Sequence, residues 1–304
     1  MAHIYIFSPS SAVRDKAAFR RGFKRLKAQG HEVEVDEAAL SSHMRFAGDD
    51  ATRIAAIGRA AASGADVVLI SRGGYGLTRI LPALPYKAIA KAIDAGTQFM
   101  GLSDFTAFNQ AVLAKTGRIT WQGPALGEDF GTADEPDDIM QACFDDLLME
   151  QGEGTGWQLP KTQAQQRVLV KDAPLWGGNL TVLTSLLGTP FFPQIKGGVL
   201  FLEDVGEHPY RIERMLTQLL HAGVLGQQKA IVFGQFSNYK LTPHDKGFKL
   251  QSVVDWLRTQ IKTPVLTDLP FGHVATKLCL PVGQQIDLVV EERDALLLWA
   301  HEGH

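Results

Sequence analysis

The sequence has only two cysteines and no run of positive charge. Each of these features argues against a class of protein. Two cysteines, Cys143 and Cys279, occur in 304 residues, and they have no CxxC spacing. They are therefore expected to be reduced core residues and not a disulfide or a zinc site. The net charge is −3 and no basic segment is present. Nucleic acid and an anionic membrane surface are therefore not expected partners.

Long apolar runs are also missing. No segment of the sequence is apolar enough to span a bilayer. The first residues, Met1 to Pro9, have neither the basic region nor the long apolar region of a signal peptide, and they predict a first strand instead. The sequence therefore predicts a soluble cytoplasmic protein with no membrane partner.

Strands alternate with helices in the first half of the chain. Apolar residues make up 45% of the sequence, and 30 glycines supply many sites for tight turns. Short apolar runs predict strands at His3–Phe7, His31–Val35, Val67–Ser71 and Gln98–Gly101. Amphipathic spacing predicts helices at Asp15–Ala28, Asp50–Ala62, Tyr86–Ile93 and Asp104–Ala114. This alternation indicates a doubly wound, flavodoxin-like parallel sheet, whose ligands bind at the carboxyl ends of its strands.

The pattern changes after a glycine-rich segment that begins near residue 150. We predict an N-terminal domain at 1–150, a linker at 151–165 and a smaller, sheet-rich C-terminal α/β domain at 166–304. The C-terminal part contains predicted strands at Val168–Lys171, Gly197–Glu203 and Ala230–Gly234, predicted helices at Pro209–Gly223 and Gly247–Ile261, and a final hairpin of Ile286–Val290 with Ala295–Trp299.

Ser103 lies at a predicted strand-to-helix turn, in the sequence Gly101-Leu102-Ser103-Asp104. Such a turn exposes a serine at the top of the sheet, beside the free N–H groups of a helix N-terminus. Ser103 could then act as a nucleophile, and the same N–H groups could stabilise an oxyanion. An ordinary helix N-cap is the alternative, and Phe105 stands where a nucleophile elbow usually has its second glycine.

A glycine-rich loop, Ser71–Gly76, follows the third predicted strand directly. Three glycines in four residues suit either a ligand-binding loop or a tight structural turn. Arg72 and Tyr75 in this loop suit the recognition of an anionic substrate end, such as a terminal carboxylate. The alternative for Arg72 is an ion pair with a neighbouring acid such as Asp104.

Glu203 ends a predicted strand, and His273 lies in a turn flanked by glycine and proline. A loop histidine of this kind is a candidate general base, although a structural role fits it as well. Glu203, Glu207 and His208 together could suggest a metal site. Because helical HExxH spacing is absent and Pro209 interrupts the segment, no metal is expected.

Taken together, the motifs resemble the LD-carboxypeptidase family, serine peptidases that trim murein tetrapeptides. The resemblance runs from the Ser8-Pro9-Ser10 turn to Gly283 and is carried by seven motifs in order. These motifs are Arg72-Gly-Gly-Tyr-Gly, Gly101-Leu-Ser-Asp-Phe-Thr-Ala, Gly123-Pro, Trp176-Gly-Gly-Asn-Leu, Leu202-Glu-Asp, Glu207-His-Pro-Tyr-Arg-Ile-Glu-Arg-Met-Leu and Phe271-Gly-His. Leu102 and Ala125 depart from the residues common in the family, and neither departure removes a catalytic group.

The resemblance implies a catalytic triad and the residues around it. Its nucleophile falls on Ser103, its acid on Glu203 and its base on His273. We expect the backbone N–H groups of Asp104 and Gly74 to form the oxyanion hole. The residues expected to bind substrate are Arg72, Tyr75, Trp176 and Asn179. The expected activity is the release of the terminal D-Ala from cytoplasmic murein tetrapeptides in cell-wall recycling, without a cofactor, by a homodimer.

Two other functions fit the same residues. One is an immunity peptidase of the microcin C type, which would cleave peptidyl-nucleotides and would need an aromatic surface such as Trp176 to stack on the base. The other is a non-catalytic nucleotide- or sugar-binding protein, because the glycine loop lies where doubly wound sheets bind ligands.

Overall fold

The computed structural model describes residues 1–149, 152–163 and 167–299, and its residues form two compact units. The first unit contains Met1–Gln151, Gly188–Pro193 and Ala275–Val282. The second contains Gly152–Leu187, Gln194–Val274 and Gly283–His304. Two segments after residue 166 therefore belong to the first unit. Of the predicted linker 151–165, residues 151, 164 and 165 lie outside the described residues.

The helices and strands alternate along the first half of the chain, as the sequence predicts. In chain order the strands are β1 (His3–Phe7), β2 (Glu32–Val35), β3 (Val67–Ile70), β4 (Gln98–Gly101), β5 (Thr120–Gln122), β6 (Gly154–Gln158), β7 (Val168–Asn179), β8 (Val199–Val205), β9 (Ala230–Ser237), β10 (Val265–Leu266), β11 (Leu280–Val282), β12 (Gln285–Glu291) and β13 (Asp294–Leu298). The α-helices are α1 (Lys16–Ala28), α2 (Asp50–Ala62), α3 (Leu77–Ile80), α4 (Tyr86–Asp94), α5 (Phe105–Thr116), α6 (Asp138–Leu148), α7 (Leu180–Ser185), α8 (Pro209–His221) and α9 (Leu250–Gln260).

The sheet of the first unit has the strand order β11-β5-β4-β3-β1-β2. Strands β1 to β5 are all parallel, which confirms the predicted doubly wound, flavodoxin-like sheet. The strand order reverses at β1 and β3, so the segments after these two strands flank the switch point where such sheets bind ligands. An antiparallel edge strand, β11, comes from much later in the chain and pairs with β5.

Local sequence explains how the first unit forms these elements. Asp15 caps α1, because its side chain accepts a hydrogen bond from Ala18 N at 2.8 Å. Phe19 and Leu26 of α1 are buried and belong to the hydrophobic core that also contains Ile4 and Ile6 of β1. The apolar face of each helix thus covers the sheet, while the loops at the strand ends stay available for a site.

The sheet of the second unit has the order β10-β9-β8-β7-β12-β13-β6. Strands β7 to β10 are parallel, whereas β7, β12, β13 and β6 pair antiparallel. The predicted C-terminal hairpin is confirmed as β12 and β13. This unit is the smaller, sheet-rich α/β domain that the sequence predicts. No helix among the described residues is both long and apolar enough to pass through a bilayer.

In this unit one strand is longer than predicted, and another strand lies in the segment predicted as a linker. Strand β7 does not end at Lys171 but continues to Asn179, because Gly177 and Gly178 allow it to approach β8 closely. A Cβ atom on Gly177 would overlap the carbonyl of Phe201. The segment predicted as a linker contains β6, which pairs with β13. Gly154 and Gly156 of β6 let the two strands approach closely.

Candidate active site

Ser103 lies where β4 turns into α5, and its backbone has the left-handed conformation, with φ of 63°. A residue other than glycine loses about 1–2 kcal/mol in this conformation, and such strain concentrates at functional sites. An N-cap residue normally has extended backbone angles, and the N-cap of α5 is Asp104. The prediction that Ser103 is an ordinary N-cap is therefore wrong, and the strained turn favours a nucleophile.

The glycine loop approaches this serine closely. A Cβ atom placed on Gly73 would lie 2.7 Å from the Cβ atom of Ser103, so the close approach requires glycine. Gly74 and Gly76 have φ of 114° and 144°, which favour glycine for a separate reason. The Ser11 hydroxyl accepts a hydrogen bond from Tyr75 N at 3.0 Å and thereby fixes the loop. The loop is thus a structural wall of the Ser103 site.

Two backbone N–H groups beside Ser103 remain available. Among the described residues, the N–H groups of Asp104 and Gly74 donate to no protein acceptor. Free N–H groups next to a serine hydroxyl are what an oxyanion hole requires. Both residues belong to the first unit.

The Asp104 side chain anchors the turn that carries Ser103. Its Oδ2 atom accepts hydrogen bonds from the Ser10 hydroxyl at 2.7 Å and from Leu77 N at 2.9 Å. Burial raises the pKa of Asp104. The hydroxyl of Ser8 likewise forms a hydrogen bond with the hydroxyl of Ser71, directly after β3. The serines after β1 thus connect to the segments that follow β3 and β4. Sequence reasoning located this serine-rich turn at the correct edge of the sheet but did not identify these roles.

Arg72 does not pair with Asp104, but it forms a long ion pair with another neighbouring acid, Glu128. Its Nη1 atom donates to the Ala12 carbonyl at 3.2 Å, and its Nε atom lies 3.9 Å from Glu128 Oε1. The side chain of Arg72 is 22% exposed to solvent. Tyr75 is also exposed, and its ring packs against Phe46. Both predicted substrate-binding residues of the loop are therefore accessible at the edge of the sheet.

The second unit brings Glu203 and His273 together. Glu203 lies near the end of β8 and is fully buried, and its Oε2 atom is 2.8 Å from His273 Nδ1. Gly272 has φ of 143°, and a Cβ atom on it would lie 2.8 Å from the Gln235 carbonyl oxygen, so the loop before His273 requires glycine. A carboxylate that accepts from Nδ1–H fixes the tautomer in which Nε2 can accept a proton. This pair has the geometry of a general base with its orienting acid.

Asn179 positions the carboxylate of Glu203. Its Nδ2 atom donates to Glu203 Oε1 at 3.1 Å and to Asp204 Oδ1 at 3.0 Å. Its Oδ1 atom accepts from Val182 N and caps α7. Asp204 is itself held by Thr181, at 2.9 Å from the backbone N and 2.7 Å from the hydroxyl, and burial raises the pKa of Asp204. The contacts thus give Asn179 a positioning role that differs from the predicted binding of substrate.

Asn179→Ser is expected to lower kcat while KM changes little, because serine keeps a cap for α7 but removes both amide hydrogen bonds. A hydrogen bond to a charged group contributes about 1.5–3 kcal/mol, so the loss should be on the order of 10-fold or more. Steady-state kinetics on purified variants would measure it. An unchanged kcat with a lowered melting temperature would mean that Asn179 acts only in stability.

Trp176 does not offer a surface to a ligand. The side chain is fully buried, and its Nε1 atom donates to Gln228 Oε1 at 3.0 Å. The prediction that Trp176 stacks on a nucleotide base or binds substrate is therefore wrong for this structure. A tryptophan next to two glycines indicated a binding surface in the sequence, but these glycines serve close strand packing.

The residues considered for a metal site have other partners. Glu207 forms an ion pair with Arg211 at 2.7 Å, and His208 lies 3.2 Å from Asp245. Within 1–149, 152–163 and 167–299, no group of three or more histidine, cysteine or acidic side chains could hold a metal ion.

Comparisons with known proteins match both halves of the chain. Residues 4–123 match the family described as LD-carboxypeptidase N-terminal domain, and residues 172–288 match LD-carboxypeptidase C-terminal domain. A probable murein peptide carboxypeptidase of Bacillus subtilis (strain 168) is 30% identical over 276 residues, which cover 90% of this chain and 84% of that protein.

A solved structure and another relative agree with this match. The crystal structure of muramoyltetrapeptide carboxypeptidase from Oxalobacter formigenes is similar, with a TM-score of 0.86, 38% identity and 97% coverage of both chains. The microcin C7 self-immunity protein MccF of Escherichia coli is 27% identical over 257 residues, which cover 75% of this chain and 72% of that protein.

Proposed function

We propose, from the premise that this chain belongs to the LD-carboxypeptidase family, that it is a serine-type LD-carboxypeptidase with Ser103, Glu203 and His273 as its triad. Its substrates would be murein tetrapeptides, and its product the terminal D-Ala. In this proposal the enzyme is a homodimer that acts in the cytoplasm during cell-wall recycling. The observation that carries the proposal is the 2.8 Å contact between His273 Nδ1 and the buried carboxylate of Glu203.

The proposed reaction has two steps. His273 Nε2 accepts the proton of the Ser103 hydroxyl, the oxygen attacks the carbonyl before D-Ala, and the oxyanion accepts hydrogen bonds from Asp104 N and Gly74 N. The protonated imidazole then gives its proton to the leaving amine of D-Ala, and an acyl-enzyme remains on Ser103. Water activated by the same imidazole hydrolyses this ester. Glu203 stabilises the imidazolium without taking its proton.

Mass spectrometry of a purified tetrapeptide incubated with the enzyme tests the proposal. A tripeptide and free D-Ala are the expected products, and the Ser103→Ala protein, prepared in the same way, should form neither. Absence of the tripeptide with the native protein at every pH examined would contradict the proposed activity.

Arg72 is proposed to bind the terminal carboxylate of the substrate. The guanidinium is partly exposed, and its contact with Glu128 is long, so it can bind both oxygens of a carboxylate without losing a strong partner. Converting the substrate's C-terminal carboxylate to an amide should therefore reduce kcat/KM far more in the native enzyme than in Arg72→Ala. Kinetics with both substrates and both enzymes measure this difference. An equal reduction in the two enzymes would assign the carboxylate to backbone N–H groups instead.

A microcin-type activity would use the same triad, so mutation of the triad cannot separate the two functions. The burial of Trp176 removes the aromatic surface that the sequence offered for a nucleotide base. Competition between a murein tetrapeptide and a peptidyl-nucleotide in one reaction separates them. Preferential cleavage of the peptidyl-nucleotide would replace the proposed function.

A further inference from the structure

A cavity of about 240 Å³ lies beside the glycine loop in the first unit. Its walls come from three segments that are distant in sequence: the start of α1, the loop after β3 and the turn at residues 127–128. The Ser71 carbonyl accepts a hydrogen bond from Gly127 N at 2.9 Å, which joins two of these walls. All three segments belong to the first unit.

The lining of the cavity combines apolar and charged side chains. Val13, Ala18 and Phe19 contribute apolar side chains to the lining, and its charged side chains are Arg14, Asp15, Arg72 and Glu128. Ala18 and Phe19 are buried residues of α1, whereas Glu128 is exposed. A ligand group with an apolar body next to a carboxylate would match this arrangement, because the carboxylate could bind Arg72 while the body enters the cavity.

One lining residue of the cavity, Arg72, is the chain neighbour of the glycine that approaches the proposed nucleophile. Arg72 precedes Gly73, and a Cβ atom on Gly73 would lie 2.7 Å from Ser103 Cβ. In a carboxypeptidase substrate, the last residue carries its carboxylate and its side chain on the same carbon atom. Because Arg72 also lines the cavity, a substrate whose carboxylate binds Arg72 brings the side chain of its last residue close to the cavity.

We propose that this cavity is the subsite for the side chain of the substrate's last residue and that it takes apolar side chains larger than a methyl group. The inference rests on the proposed function and on the proposed role of Arg72. A water molecule occupies about 30 Å³ in the liquid. The methyl group of D-Ala, of similar size, leaves most of the cavity unfilled, whereas the side chain of D-leucine or D-methionine fills more of it. The substrate class thus includes tetrapeptides that end in large apolar D-amino acids.

The test compares tetrapeptides that end in D-Ala and in D-leucine. The native enzyme should cleave the D-leucine peptide with a kcat/KM at least equal to that for D-Ala. Ala18→Leu, which fills the cavity from α1, should lower the ratio of kcat/KM for the D-leucine peptide to kcat/KM for the D-Ala peptide by about 10-fold or more, since single methylene groups in such pockets change specificity by about 10–200-fold. Val13→Phe fills the cavity from a different segment and should act in the same direction.

Ala17→Leu is the matched control, because Ala17 is an exposed neighbour on the same helix. It should leave the ratio of the two kcat/KM values unchanged, and circular dichroism would verify that each variant is folded. Cleavage of the D-Ala peptide with rejection of the D-leucine peptide would overturn the inference and leave the proposed function intact. An equal loss on both peptides in folded Ala18→Leu and Val13→Phe would also overturn it. Cleavage of neither peptide by the native enzyme would overturn the proposed function together with the inference.

Discussion

Ser103→Ala, Glu203→Gln and His273→Ala are each expected to reduce kcat by about 10⁴-fold or more, as triad residues do in serine peptidases. The serine variant loses the nucleophile, the histidine variant loses the base, and the glutamine variant loses the charge that stabilises the imidazolium. Ser103→Ala should cost little stability, because the serine is a turn residue and alanine fits the same backbone conformation about equally well. Release of D-Ala, measured by mass spectrometry or a coupled assay, gives the rates.

Combined variants test whether the three residues act as a unit. Residues of a triad are strongly non-additive, so the double variants should be no slower than the slowest single variant. Ser42→Ala and His221→Ala replace exposed residues of the same types and should keep native activity. Near-native turnover in Glu203→Gln would transfer the acid role to another carboxylate, with Asp204 next to be examined. Retained turnover in all three single variants would contradict the proposed mechanism.

The doubly wound sheet was predictable because its signals are local. Short apolar runs followed by amphipathic helices predict β1 to β4 and α1, α2 and α4 to within a few residues. The turn at Ser103 was predictable for the same reason, since a strand that changes at once to helical spacing leaves few residues for the connection. Parallel strand ends meet at one edge of a sheet, so the serine turn, the glycine loop and Ser103 could be assigned to the same edge.

Features that depend on distant partners were not predictable from local patterns. The strand β6 has almost no apolar residues, and it forms because its backbone pairs with β13. The edge strand β11 joins the first sheet although the sequence assigns residues 166–304 to the other domain. The role of Asn179 depends on two carboxylates that are more than 20 residues away, so no motif spacing could reveal it.

Lys277→Met is expected to destabilise the first unit by about 3–5 kcal/mol, because it leaves a buried carboxylate without its partner. Lys277 Nζ lies 2.6 Å from Asp129 Oδ1, and their side chains are 3% and 4% exposed. Burial raises the pKa of Asp129, and the positive charge of Lys277 opposes that effect. The lysine also lies in the segment Ala275–Val282, which follows the His273 loop and returns to the first unit. Chemical denaturation of the full chain would measure the loss.

A second substitution separates the unpaired charge from the loss of lysine packing. Asp129 Oδ2 accepts a hydrogen bond from Ala125 N at 2.7 Å, and the side-chain oxygen of asparagine can do the same. Lys277→Met combined with Asp129→Asn should therefore recover most of the lost stability, since replacing both members of a buried pair with neutral groups is often close to neutral. Lys87→Met, an exposed lysine on α4, should change stability by no more than about 0.5 kcal/mol. A double variant as unstable as Lys277→Met would show that the lysine stabilises the unit by packing and that the charge of Asp129 has little effect on the free energy of unfolding.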